Sequence, residues 1–254
     1  MRNYFIFDGE DSRDYGLYIS GHKTFDSPER NYKFTSVSGK SGDLAQDLGT
    51  FKNVELTYQN AFINPADLHE EDEDFNSAFS ELKNILLSKS GYCRLEDSYH
   101  PDEFRMAVFR KAITPTLSEA NDFGVFDLIF DCKPQRFLKS GENPLSYTPS
   151  TQGGSISSSI TNPTLMDAKP LIRVYGTFES GTVSIGQYSF TIISSTVYTD
   201  IDCETMDCYR GANNRNNIVS FTGHKFPKLV PGVNNIIATS GITRIEITPR
   251  WFTI

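Results

Sequence analysis

Long apolar runs are missing from this 254-residue chain; none approaches the roughly 18 residues that a membrane-spanning helix needs. Positive charge is also short. Asp and Glu number 32 against 24 Lys and Arg, a net charge of −8 with a pI near 5.1. An acidic surface repels phosphate backbones, which argues against specific nucleic-acid binding. Only four cysteines occur, Cys93, Cys132, Cys203 and Cys208, too sparse for a disulfide scaffold. The Cys203-x4-Cys208 pair has no Cys or His partners at zinc-finger spacing, so ordinary reduced thiols are expected. The first residues, Met1-Arg-Asn-Tyr-Phe-Ile-Phe-Asp8, turn polar too soon for a signal peptide, which points to synthesis and folding in a cytosol.

Catalytic signatures are lacking too. The four histidines, His22, His69, His100 and His224, are scattered with no i, i+4 pair, and no Gly-x-Ser-x-Gly elbow is present. Gly39-Lys-Ser41 has the ending of a phosphate-binding loop, but Phe34 stands where the first glycine belongs, and a turn or hairpin explains it better. Asp72-x-Asp74-x-Asn76 opens like a calcium loop, yet Ser77 and Lys83 occupy the positions of the required Gly and Glu. A solvated acidic helix start is the simpler reading. No carboxylate pair is marked out for glycoside hydrolysis. Neither an enzyme, a cofactor nor a metal is expected.

What is present is β-forming sequence. Aromatics reach 13%, with 19 Phe and 12 Tyr, and 18 Gly and 12 Pro punctuate short runs. Phe5–Phe7, Leu17–Ile19, Tyr32–Phe34 and Val54–Tyr58 read as strands, the last with apolar Val54, Leu56 and Tyr58 alternating with Glu55, Thr57 and Gln59. Phe126, Leu128 and Phe130 form one wholly apolar face of a further strand. One helix stands out, with Phe75, Phe79, Leu82 and Leu86 on a single stripe, acidic residues 70–74 before it and Gly91 as its cap.

Pro134 then interrupts, followed by Gly141, Pro144, Pro149 and the Ser/Thr/Gly tract Ser150–Ser159. That polar seam predicts two domains: residues 1–135, a linker at 136–160, and residues 161–254. Past the seam, short strands recur at about ten-residue intervals, as in a sandwich. The second domain could recognise saccharide, with Trp251 or the amides of Asn213–Asn217 as contacts, although a polar turn accounts better for the asparagines.

Several motifs, weak singly, resemble in their order a known family, the siphophage distal tail proteins (Dit). They are Phe5-Ile-Phe-Asp-Gly9 with Tyr15-Gly-Leu17, Ser27-Pro-Glu-Arg30, Val37-Ser-Gly-Lys-Ser-Gly-Asp43 and Gly49-Thr-Phe-Lys-Asn-Val54. The seam Phe130-Asp-Cys-Lys-Pro-Gln-Arg-Phe137 follows, and then Asn162-Pro-Thr164, Ala168-Lys-Pro170, Phe226-Pro227, Pro231-Gly-x-Asn234 and Pro249-Arg-Trp251. The resemblance implies a mainly β chain: an N-terminal β-sandwich with one α-helix and a projecting β-hairpin, then a C-terminal sandwich resembling galectins and carbohydrate modules. It further implies a homo-hexameric ring at a phage tail tip, made in the host cytoplasm and incorporated into the virion. The ring would join the tail tube protein to the tail-associated lysin or tip protein and carry receptor-binding or baseplate proteins. No catalytic residue comes with the family. The stretch between Tyr32 and Tyr58, with Phe34, Gly39, Gly42 and Val54, is the candidate hairpin arm reaching a neighbouring subunit; an ordinary surface hairpin is the alternative.

Overall fold

A computed structural model describes residues 2–19, 23, 27–64, 75–118 and 123–254. Residues 1–136 and 137–253 form two compact units, each with its own apolar core.

In the first unit the strands are β1 (Phe5–Phe7), β2 (Glu10–Asp11), β3 (Leu17–Ile19), β4 (Arg30–Ser36), β5 (Asp43–Phe51) and β6 (Val54–Ile63). After helix α1 (Phe75–Ser88) come β7 (Cys93–Asp97), β8 (Glu103–Phe109), β9 (Thr116–Leu117) and β10 (Gly124–Cys132). The main sheet is antiparallel in the order β2-β1-β7-β8-β10-β6-β3, with β9 on the end of β10. Its inward positions follow the alternation legible in the sequence: Val54, Leu56, Tyr58, Phe126, Leu128 and Phe130 are all buried. The helix buries Phe75, Phe79, Leu82 and Leu86 in the same core, as their spacing predicts, and adds Ala78. It stops at Ser88; Gly91 lies three residues further on, at φ +76°, in the turn that enters β7.

The second unit begins where a linker was expected. Strand β11 (Arg136–Leu138) pairs with the C-terminal β23 (Phe252–Thr253), Leu138 N–H donating to the Trp251 carbonyl at 2.9 Å. Strands β12 (Leu145–Tyr147) and β13 (Ile156–Asn162) are full members of sheets. Residues 136–160 are therefore not a linker: Ile156 and Ile160 are buried, and all seven residues of β13 stand in register against a neighbour. The remaining strands are β14 (Leu171–Tyr175), β15 (Phe178–Ile185), β16 (Tyr188–Ser195), β17 (Tyr198–Asp202), β18 (Asp207–Arg210) and β19 (Asn213–Asn214). They are followed by β20 (Val219–Phe221), β21 (Gly232–Ala238) and β22 (Arg244–Thr248). Two antiparallel sheets result, β12-β22-β14-β17-β18-β19 and β13-β21-β15-β16-β20, and their buried residues form a single core.

Three motifs of this unit are internal clamps. Asn162 is 2% exposed; its amide donates to the carbonyls of Met166 and Leu229, both at 2.8 Å, and its oxygen accepts from Thr164 N–H and hydroxyl. Asn234 likewise bonds both backbone groups of Val230. Arg250 makes a two-pronged pair with Asp202, at 2.7 and 3.0 Å. A buried amide or carboxylate left without these partners would carry its full desolvation cost, so the residue types are dictated by architecture.

Candidate functional site

The feature that leaves the cores is the β4–β5 hairpin, a two-stranded sheet by itself. Every residue of β4 except Asn31, and every residue of β5 except Phe51, is largely exposed. An isolated two-stranded ribbon is marginal in water, and this one carries large apolar side chains facing solvent. Phe34 is 64% exposed and Leu44 63%, with Tyr32, Val37 and Leu48 exposed as well. Tyr32 and Phe34 share a face, their rings 6.0 Å apart. Gly39 (φ +79°) and Gly42 (φ +84°) shape the tip, where Lys40 N–H donates to the Val37 carbonyl at 3.1 Å. The Gly39-Lys-Ser41 sequence is thus a hairpin turn.

The root of the arm is held by polar contacts. Arg30 pairs with Asp47 at 2.6 Å across a register shift, and Lys52 reaches Glu29 at 3.0 Å while its N–H donates to the Glu29 carbonyl. The Asn53 amide donates to Tyr92 OH at 2.6 Å and to Asp131 at 2.8 Å, fixing the point where the arm enters the sheet.

Of the residues expected in the arm, Tyr32, Phe34, Gly39 and Gly42 lie in it. Val54 and Tyr58 do not. They belong to β6, inside the main sheet, and are 7% and 1% exposed. The returning strand of the hairpin is Asp43–Phe51, which has polar residues on both faces and so no alternation to betray it.

Tyr58 instead joins a buried polar cluster that the sequence did not suggest. Lys23 and Asp97, 8% and 9% exposed, form an ion pair. The Asp97 carboxylate also accepts from Tyr58 OH at 2.7 Å and from the backbone N–H groups of Tyr99 and His100, both at 3.0 Å. His100 Nδ1 lies 3.1 Å from Lys23 Nζ, and Arg136 pairs with Glu103 alongside. Burial raises the Tyr58 hydroxyl well above its ordinary value and pushes the Cys132 thiol up to about 12. Four cysteines are free; three are buried and unreactive by this criterion.

Burial, with Lys23 and Arg136 nearby, lowers the His100 pKa below 6.5. The unfolded chain then binds a proton that the folded chain resists, so the His100 contribution is present above pH 6.5 and is lost as pH falls through that value. His100→Gln is expected to flatten the stability profile between about pH 5 and 7, as measured by urea denaturation at stepped pH. An unchanged slope would show that His100 does not set it.

Of the residues weighed for saccharide, Trp251, Asn214 and Asn216 are engaged elsewhere. Trp251 is 5% exposed and packed in the second core. Asn216 accepts from Cys208 N–H at 2.7 Å and donates to Asp207, while Asn214 accepts from Asn216 N–H. Among the described residues no cluster of three or more His, Cys, Asp or Glu could hold a metal, and no helix is long and apolar enough to cross a membrane. His22, His69 and Asp72-x-Asp74 lie outside the described residues.

A mainly β chain of two units, with one helix and a projecting hairpin in the first, has the fold of phage distal tail and baseplate hub proteins. It matches the Dit protein of phage SPP1, described as a paradigm of the hub adsorption apparatus in phages infecting Gram-positive bacteria, with a TM-score of 0.72 over 100% of both chains at 13% identity. It also matches a chain of the phage p2 baseplate in its activated conformation, in structures with strontium (TM-score 0.53, 10% identity) and with calcium (0.54, 11%), over 97% of each chain. No protein-family model and no curated protein matches the chain by sequence.

Proposed function

We propose that this chain is a non-enzymatic structural component of a phage tail tip: a distal tail protein whose six copies close a ring between the tail tube and the tip or tail-associated lysin. Its second unit serves as a mount for receptor-binding or baseplate proteins. The observation that carries this reading is the full-length likeness to the SPP1 Dit fold, together with the arm. A ring is built from one heterologous contact repeated by rotation, and the arm supplies a protruding surface whose Phe34 and Leu44 are covered only by another molecule. Pairing of a free ribbon edge with a neighbour's strand would add backbone hydrogen bonds.

Charge is consistent with a conduit for DNA. Residues 1–136 contain 15 Lys and Arg against 24 Asp and Glu, a balance of −9, whereas residues 137–254 contain nine against eight, a balance of +1. A ring built from the acidic unit repels the phosphate backbone that passes through it.

Negative-stain imaging of the purified protein is expected to show six-fold rings with a central hole; a protein that stays monomeric at every concentration would sink the proposal. Phe34→Asp with Leu44→Asp is expected to weaken ring formation about tenfold or more while leaving the melting temperature unchanged, because both side chains are exposed in the single chain. Sedimentation velocity over a concentration series reads the first effect, and calorimetry of the dilute protein reads the second.

A further inference from the structure

Strand β8 carries a charge where its alternation calls for an apolar side chain. Ala107 and Phe109 are buried in the first core, and Arg105 shares their face of the strand. Its cross-strand partner on β7 is the buried Leu95. Arg105 Nη1 is buried with no hydrogen-bond partner, and among the described residues Arg105 forms no ion pair. Burial is the largest influence on its pKa and the nearby Arg136 adds repulsion, both disfavouring the charged form. An arginine nonetheless keeps its proton, so a cation stands at the end of this core without a counter-ion.

The neighbouring groups do not neutralise it. Asp97 is committed to Lys23, and Glu103 to Arg136. Lys23, Arg105 and Arg136 therefore face only two carboxylates, which leaves one positive charge over. Cys132 and Tyr58 keep their protons: burial pushes the thiol up to about 12 and raises the hydroxyl well above its ordinary value. His100, its pKa lowered from 6.5, is uncharged at neutral pH, and its Nδ1 accepts from Lys23 at 3.1 Å.

Arg105 lines a cavity of about 10 Å³, together with Lys23, His100 and the apolar Leu56, Leu95 and Phe104. That is room for one occupant of about the size of a water molecule. An ammonium has three protons, and Asp97 and His100 take two of those on Lys23 Nζ. Two donors with capacity to spare thus border one small space. We propose that this cavity binds a monatomic anion, a halide such as chloride, held by Arg105 and Lys23. A halide supplies the missing negative charge and accepts from both donors, whereas water accepts from them but leaves the charge uncompensated. Sulfate, phosphate and carboxylates, with several oxygens each, exceed the space. The site lies within a single copy and does not depend on ring closure.

Urea denaturation of the full chain tests it, with chloride exchanged for gluconate at constant ionic strength. Far-UV circular dichroism follows the first unit, and Trp251 fluorescence marks the second. Above the dissociation constant, the folding constant of the first unit should rise about tenfold for each tenfold of chloride. Bromide should replace chloride, and the fluorescence transition should show only the general effect of salt. Arg105→Met should abolish the chloride dependence. In gluconate that variant should be no less stable than the parent, because an apolar side chain replaces a buried charge that lacks a counter-ion. Crystals of the unmodified chain grown in bromide give a readout that needs no variant: an anomalous peak is expected in the cavity. Water in the cavity under bromide, equal stability in chloride and gluconate, or a chloride dependence that survives in Arg105→Met each overturns the proposal. A bromide peak without any chloride dependence of folding marks an adventitious ion only, and overturns it as well.

Discussion

Asp97→Ala is expected to destabilise the first unit by about 3–5 kcal/mol, the range for removing one partner of a buried ion pair. The carboxylate closes β7 at a point where four donors converge: Lys23 Nζ, Tyr58 OH and two backbone N–H groups. Truncation leaves an ammonium at 8% exposure with only His100 Nδ1 beside it, and a hydroxyl and two amides without their acceptor. Lys23→Met should cost less, because the carboxylate keeps its other three donors. Burial by itself raises the Asp97 carboxyl, but the Lys23 charge and the hydrogen bonds outweigh it and hold the group below its ordinary 3.8. The folded pKa is depressed, so this stabilisation is fully present above pH 3.8 and fades as pH falls below it. Urea denaturation followed by far-UV circular dichroism measures the loss. Trp251 is the only tryptophan and sits in the other core, so the fluorescence transition should stay in place while the dichroism transition moves to lower urea. An Asp97→Ala protein within 1 kcal/mol of the parent would show that the pair contributes nothing net.

Phe130→Ala should be comparably damaging, at about 3–5 kcal/mol for deleting a fully buried ring. Phe130 is the hub of the aromatic core. Its ring meets Phe109 at 5.1 Å, Phe7 at 5.2 Å, Phe5 at 5.6 Å and Tyr58 at 5.9 Å, all edge-on at 63–75°. Such pairs add to the area term about 0.5–1.5 kcal/mol each. Phe130→Leu keeps part of the volume and should recover roughly half the loss. Equal destabilisation by both variants would argue that ring geometry dominates over cavity volume. The dichroism and fluorescence comparison applies unchanged, since Phe130 belongs wholly to the first unit.

How far the sequence could be read depended on whether burial left a periodic trace. The stripe Phe75, Phe79, Leu82, Leu86 and the alternation around Phe130 were legible because one face of each element meets a core and the other meets water. Strand β13 was not. Of its four inward positions, Ile156 and Ile160 are aliphatic, Ser158 is exposed at the sheet edge, and Asn162 is a polar residue buried by virtue of its backbone partners. The pattern therefore read as a low-complexity tract. Strand β5 is hidden for the opposite reason: both its faces are wet, so in the sequence the nearest alternating segment, Val54–Tyr58, reads as the return of the hairpin. The polar cluster left no local signal at all, because Lys23 and Asp97 are 74 residues apart, Asp97 placed by the pairing of β7 with β1 and Lys23 by its bridge to Tyr58 on β6. Three residues of the motifs that resemble distal tail proteins have a structural cause. Asn162, Asn234 and Arg250 mark places where the fold demands one particular side chain.

The junction at Lys52-Asn53 gives the arm a mechanical character. Only these two residues separate β5 from β6, and β6 lies between β10 and β3, in register with β10 from Val54 to Tyr58 and again at Ala61 and Phe62. A pull on the tip along this line is borne in shear by many hydrogen bonds at once, whereas a load that peels a sheet edge breaks them singly. The arm is thus anchored like a tendon in a strand paired on both sides, so a load on its tip is passed into the sheet and not to a free edge.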